Sequence, residues 1–169
     1  MQEMQIYGVS FDLVGKQPIV LLKTAEGNKF LPIWIGHPEA AAILMKLQSQ
    51  AAPRPMTHDL LSDMLEQLGA QVVRITVTEL RESTFYAQIT IQQDGGEIEV
   101  DSRPSDAIAL AIRAEAPIFA ADRVIEESAI EFEGEEVNEE EIVDEFRKFL
   151  DHVTPDEFAV EDEEPEPDS

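Results

Sequence analysis

The stretch DSRPSDAIALAIR, residues 101–113, decides how the chain folds. Asp101 ends an alternating run, and Arg103–Pro104 opens an Ala/Ile/Leu pattern that predicts a helix to about Ala114, with proline at its start. An earlier stretch shares this grammar. In FLPIWIGHPEAAAI, residues 30–43, Pro38 stands where a first helical residue would, followed by Glu39 and an Ala-rich run to about Gln50. Setting Glu39 against Asp106 aligns EAAAI with DAIAL, and each helix follows three strand-like runs.

In the first half those runs are residues 4–14, PIVLLKT (18–24) and KFLPIWIG (29–36), the last two joined by AEGN, a glycine-bearing hairpin signal. In the second half they are VVRITVTEL (72–80), FYAQITIQ (85–92) and EIEVD (97–101), with DGG between the last two. Between the halves, after AAPRP (51–55), Thr57 can cap a helix whose Leu60, Leu61, Met64, Leu65 and Leu68 share one face, ended by Gly69. The expected architecture is α+β: duplicated βββα units forming a joined mixed or antiparallel sheet packed with helices. Small residues at Ala40–Ala42, Ala107, Ala109 and Ala111 would let the helices lie close to the sheet.

At 169 residues the chain has room for one domain and a tail. The expected boundaries are a domain over 1–125, an acidic linker and amphipathic helix over 126–158, and a disordered acidic tail over 159–169. Within the middle segment, IVDEFRKFLDHV places Ile142, Val143, Phe146, Phe149, Leu150 and Val153 on one helical face. Docking on the chain's own core and docking on a protein partner, through residues 139–153, both remain open.

Charge is uneven. The net charge is −24, yet residues 1–120 hold 15 acids against 9 bases, whereas residues 121–169 hold 21 against 3. A polyanion would be repelled by the C-terminal stretch, so any site for one must be a local patch on the first 120 residues. No cysteine is present, which excludes disulfides, a thiolate nucleophile and a cysteine zinc site. There is no leader-like start and no run long enough to span a membrane, so the expected location is the cytoplasm, with no membrane partner. Exposed edges of the predicted sheet lead to an expected homo-oligomer. Signatures of P-loop, dinucleotide-binding, serine-hydrolase and zinc-protease chemistry are missing.

Two Arg-Pro pairs stand at predicted helix starts, in RPMTHD (54–59) and RPSD (103–106). Free N–H groups and the positive end of the helix dipole suit a phosphate oxygen, and a guanidinium could grip it with two parallel bonds. Arg54, Thr57, Arg103 and Ser105 are therefore candidate substrate-binding residues of one polar pocket. The plainer reading is that Thr57 and Ser105 cap, Asp59 and Asp106 complement the dipole, and Arg103 pairs with Asp101 or Asp106. His58, in a first turn where the dipole disfavours the imidazolium, is the candidate general base; His37 merely ends a strand and His152 belongs to the tail. Asp59, Glu39 and Asp106 join it as candidate catalytic carboxylates. Asp101 and Asp106 are the candidate ligands for Mg²⁺ or Mn²⁺, since hard cations take oxygen donors; no organic cofactor is expected.

Four ordered blocks, FLPIWIGHPEAAAI (30–43), RPMTHDLL (54–61), TFYAQI (84–89) and DSRPSDAIALAIR (101–113), together resemble the bifunctional nuclease domain family of bacteria and plants. The resemblance covers about residues 4–125 and implies an α+β domain acting on RNA and DNA. By motif it points to Glu39, to Arg54, Thr57, His58 and Asp59, and to Arg103, Ser105 and Asp106. Some plant members append a UVR-type helical motif, where this chain has its acidic stretch. The function expected is thus phosphodiester hydrolysis, with nucleic acid as substrate. The alternative is a noncatalytic regulatory module that binds a nucleotide or other small anion and uses its C-terminal helix to dock a partner. In a third reading the acidic tail shields the site as an internal polyanion.

Overall fold

The computed structural model describes residues 1–11 and 16–131. The first meander is β1 (Gln2–Phe11), β2 (Pro18–Thr24) and β3 (Lys29–Trp34), followed by helix α1 (His37–Leu47). The second is β4 (Gln71–Arg81), β5 (Thr84–Gln93) and β6 (Gly96–Ser102), followed by α3 (Pro104–Ala114). Both βββα units of the sequence reading are present, and α2 (Thr57–Gln67) stands between them. The β5–β6 turn has Asp94 at φ 50° and Gly95 at φ 77°, the pair of positive values a two-residue hairpin requires.

What joins the meanders is an element the sequence pattern did not single out. Strand β7 (Ile118–Ala120) lies between β4 and β1, parallel to the first and antiparallel to the second, so one mixed sheet runs β6-β5-β4-β7-β1-β2-β3-β8. Three residues are too few for a clear alternation. After β7 the chain forms α4 (Asp122–Ser128), which straddles the expected boundary at 125, and β8 (Ile130–Glu131), which pairs with Lys29 and Phe30 of β3. Val124 and Ile125 of α4 are buried in the core. The segments expected to be an amphipathic helix and an acidic tail, from 132 onward, lie outside the described residues, as do 12–14 of the expected first strand and residue 15.

Alternation builds the core. Val20 and Leu22 of β2 pair in register with Ile33 and Leu31 of β3, and this face meets Ile75, Val77, Ala87 and Ile89 of the second meander under the helices. Ile19, Leu21 and Phe30, the alternate residues, are buried too, whereas Ile98 and Val100 of β6 stay exposed. Helix α3 is the central helix: residues 107–111 are all buried, and it packs on α1, α2, β4 and β5. Ala40 and Ala42 of α1 are buried as expected, while Ala41 points outward. Small side chains let three helices share one side of the sheet.

Helix α2 departs from its sequence pattern. Its apolar positions share one face, yet Leu60, Met64 and Leu68 are 52%, 53% and 66% exposed, and Leu65 alone of the five is packed against the core. The helix leans on α3 rather than lying flat on the sheet, so what it buries is the polar edge carrying His58. Thr57 does not cap it either. Met56 is the N-cap residue and Thr57 the first helical one; the Asp59 carboxylate accepts the Met56 N–H at 2.9 Å instead. Among the described residues no helix is long and apolar enough to cross a membrane.

Two substitutions should therefore separate cleanly in urea denaturation. Ile108→Ala, in the closed core, is expected to cost about 2–5 kcal/mol, whereas Leu60→Lys on α2 should stay within about 0.5 kcal/mol of the parent.

Candidate functional site

The two Arg-Pro pairs are not equivalent once folded. Arg103 is itself the N-cap residue of α3, with Pro104 and Ser105 as its first two helical positions. Arg54 sits two residues before the N-cap of α2, on an exposed loop. The expectation of one pocket fed by both openings is not met. Arg103 and Ser105 line a cavity of about 200 Å³, whereas Arg54 and Asp59 line another of about 310 Å³.

Four of the expected residues do converge, from three helix starts. His58 Nε2 lies 2.8 Å from Asp106 Oδ1, although 48 positions separate them. A proton must sit between those atoms, because both are acceptors without one. The other oxygen of Asp106 accepts from Arg103 Nε at 3.0 Å and Nη2 at 2.8 Å, and Nη2 also donates to Glu39 Oε1 at 2.6 Å. The result is a continuous polar chain, His58–Asp106–Arg103–Glu39. The Glu39 hydrogen bond, followed by that of Asp106, holds the Arg103 guanidinium more firmly protonated than usual.

Burial grades along this chain. The His58 and Glu39 side chains are only 10% and 11% exposed, Asp106 is 30% and Arg103 is 65%, so the guanidinium is the outer surface of the group. Sequence reasoning missed why Glu39 can reach it. A Cβ built on Gly36 would overlap Glu39 Oε2, so the carboxylate folds back into space that only glycine leaves open. The IG-H-P-E spacing carried that signal.

Asp59 does not join His58, its chain neighbour. Its carboxylate accepts from Met56 N–H and from Arg113 Nε at 2.7 Å, and these bonds, in that order, hold it below the usual aspartate range. Arg113, which the sequence reading did not single out, is 7% exposed and also donates to the carbonyls of Ala109 and Ala42, so one guanidinium ties α1, α2 and α3 together. Its place in the last turn of α3 was the available hint. The side chains of Arg54 and Thr57 make no hydrogen bond among the described residues, and both residues are exposed. His37 is the first residue of α1 and exposed, not the end of a strand.

The acids were also candidates for Mg²⁺ or Mn²⁺. They do not fit a hard divalent ion as arranged, because Glu39 and Asp106 direct oxygens at Arg103, while Asp101 lies exposed on β6 and is bonded to neither. Among the described residues no group of three or more His, Cys, Asp or Glu is placed to share an ion.

Two outcomes follow from this geometry. Gly36→Ala should push the Glu39 carboxylate off Arg103; a double-mutant cycle with Glu39→Gln, read by thermal melting, should show coupling of roughly 0.5–3 kcal/mol. For Asp59, a lowered folded pKa means stability that is full above the unfolded value and is lost as pH falls through the folded one. Asp59→Asn should thus be less stable than the parent at neutral pH, and the gap should close below about pH 4.

Comparison with known proteins supplies a family for the chain. A family model described as the bifunctional nuclease domain matches residues 20–133, which include every member of the polar chain. An uncharacterized protein of Mycobacterium tuberculosis is 37% identical over 166 residues, covering 95% of this chain and 99% of its own length. Bifunctional nuclease 1 of Oryza sativa subsp. japonica is 29% identical over 62% of this chain, and bifunctional nuclease 1 of Arabidopsis thaliana is 28% identical over 60%. The matched part is about a third of each plant protein, 33% and 32%. With four sequence blocks, a family model spanning most of the described residues and a relative 37% identical over nearly the whole chain in accord, the chain belongs to the bifunctional nuclease domain family.

Proposed function

We propose that the chain hydrolyses phosphodiester bonds in RNA and DNA, with the chemistry at the helix starts of α1, α2 and α3. One observation carries this reading: His58, Asp106, Arg103 and Glu39 form an unbroken chain of contacts of 2.6–3.0 Å. A carboxylate bonded to an imidazole is a unit that takes up a proton from water, and a guanidinium beside it can stabilise charge on a phosphate oxygen. In this reading the attacking water meets the half-buried carboxylate of Asp106, the His58–Asp106 pair accepts its proton, and Arg103 Nη1, which bonds nothing among the described residues, donates to the phosphate. As the P–O bond to the departing sugar oxygen breaks, the pair returns the proton to that oxygen.

The larger cavity supports a second contact with the polymer. Lys46, Arg54 and Arg113 line it with Asp59 as the one acid, a local excess of positive charge in a chain of net charge −24. Phosphates flanking the scissile bond would be held there as point charges, without reading sequence.

A second reading has its own support. His58 is 8% exposed and Arg103 is already shared by two carboxylates, which is what a tie between helices would look like in a noncatalytic module that binds a nucleotide or small anion. Cleavage of labelled single-stranded RNA and DNA by the parent, His58→Ala and Asp106→Asn proteins separates the two. The nuclease reading expects a loss of roughly 10²–10⁴ in rate for either variant with the melting temperature nearly kept. Equal cleavage by parent and variants would remove this site, and no turnover with intact nucleotide binding would favour the second reading.

A further inference from the structure

The cavity at the start of α3 differs from the cationic one. It lies where the ends of β3 and α3's first turn meet the β4–β5 hairpin, and two aromatic side chains, Trp34 and Phe85, line it together with Gln17, Thr84 and Ser105. Ser105 is 5% exposed, and its hydroxyl has no hydrogen-bond partner among the described residues although it borders open space. The backbone N–H groups of Ser105 and Asp106 belong to the same first turn, where the helix offers no carbonyl to receive them; the first helical bond is from Ala107 N–H to Arg103. The Ser105 hydroxyl and the Ser105 N–H beside aromatic walls form a site with unmet hydrogen-bonding capacity.

Charge selects the occupant. Arg103 borders the cavity, but its Nε and Nη2 are taken by Asp106 and Glu39, its Nη1 is the donor assigned above to the scissile phosphate, and no other cation lines the cavity to offset the charge of a second phosphate. An uncharged planar ring with polar edges meets no such penalty. The volume, about 200 Å³, suits one ring system and not a stacked pair. We propose that this cavity receives one unpaired nucleobase of a single strand, which packs against Trp34 and Phe85 and places a polar edge at Ser105. The identity of the polymer rests on the nuclease reading above; the inference narrows it to single-stranded substrate, because a paired base would first have to leave its duplex.

Trp34 is the only tryptophan, so its fluorescence reports on the cavity directly. The full chain is titrated with a short single-stranded oligonucleotide, with the same length built from stable abasic tetrahydrofuran units, and with the duplex. A saturable change with the first and none with the second is expected, with the duplex weaker than the single strand. Ser105→Ala should weaken single-strand binding by roughly tenfold, measured also by calorimetry, without lowering the melting temperature. Equal binding and equal Trp34 response to the abasic strand, or unchanged affinity in Ser105→Ala, would overturn the proposal. Base-dependent binding without cleavage would keep this subsite and remove the nuclease reading. Cleavage of abasic and normal strands at equal rate and affinity would do the reverse.

Discussion

The guanidinium of Arg113 is the constraint on which the helical side of the molecule depends. At 7% exposure it must be fully paired, and it meets three acceptors on three helices: Asp59 of α2, Ala42 of α1 and Ala109 of its own helix. Removing Asp59 would leave this largely enclosed guanidinium without its anionic partner. That pairing fixes the rotation of α2 against α3. With Asp59 turned toward Arg113, the adjacent His58 has one direction left, toward Asp106.

The second tie, at the helix starts, is therefore set by the first. Asp106 is in the first turn of α3 and faces His58 on one side and Arg103 on the other, and Arg103 spans the gap to Glu39. Alanines at 107, 109 and 111 permit this closeness, since larger side chains would push α3 away from α1 and the sheet. The packing thus delivers a polar group whose inner members are buried and whose outer member, Arg103, reaches solvent. Two cavities of opposite character flank the group, one cationic and one aromatic. A polyanion approaching a chain of net charge −24 would find its favourable contacts concentrated there.

The family is legible from four short blocks because they are where local rules are strictest: a proline at a helix start, a glycine that admits a carboxylate, and the strand pattern of β5. The acids in those blocks were less legible, because helix position alone predicts the same residue for a dipole partner, a cap and a ligand. Asp59 and Asp106 look alike in sequence. Only the direction in which each helix faces makes one the partner of Arg113 and the other the partner of His58.

By itself the sequence determined the two βββα units, the start of α3 and the residue types available at each helix opening, since these follow from periodicity and from the backbone limits of proline and glycine over a few residues. The tertiary structure alone decided that β7 joins the two meanders, that the leucines of α2 face solvent and that the two Arg-Pro openings border separate cavities. Each of these depends on contacts between residues tens of positions apart, where packing and the pairing of buried charge outweigh local preference.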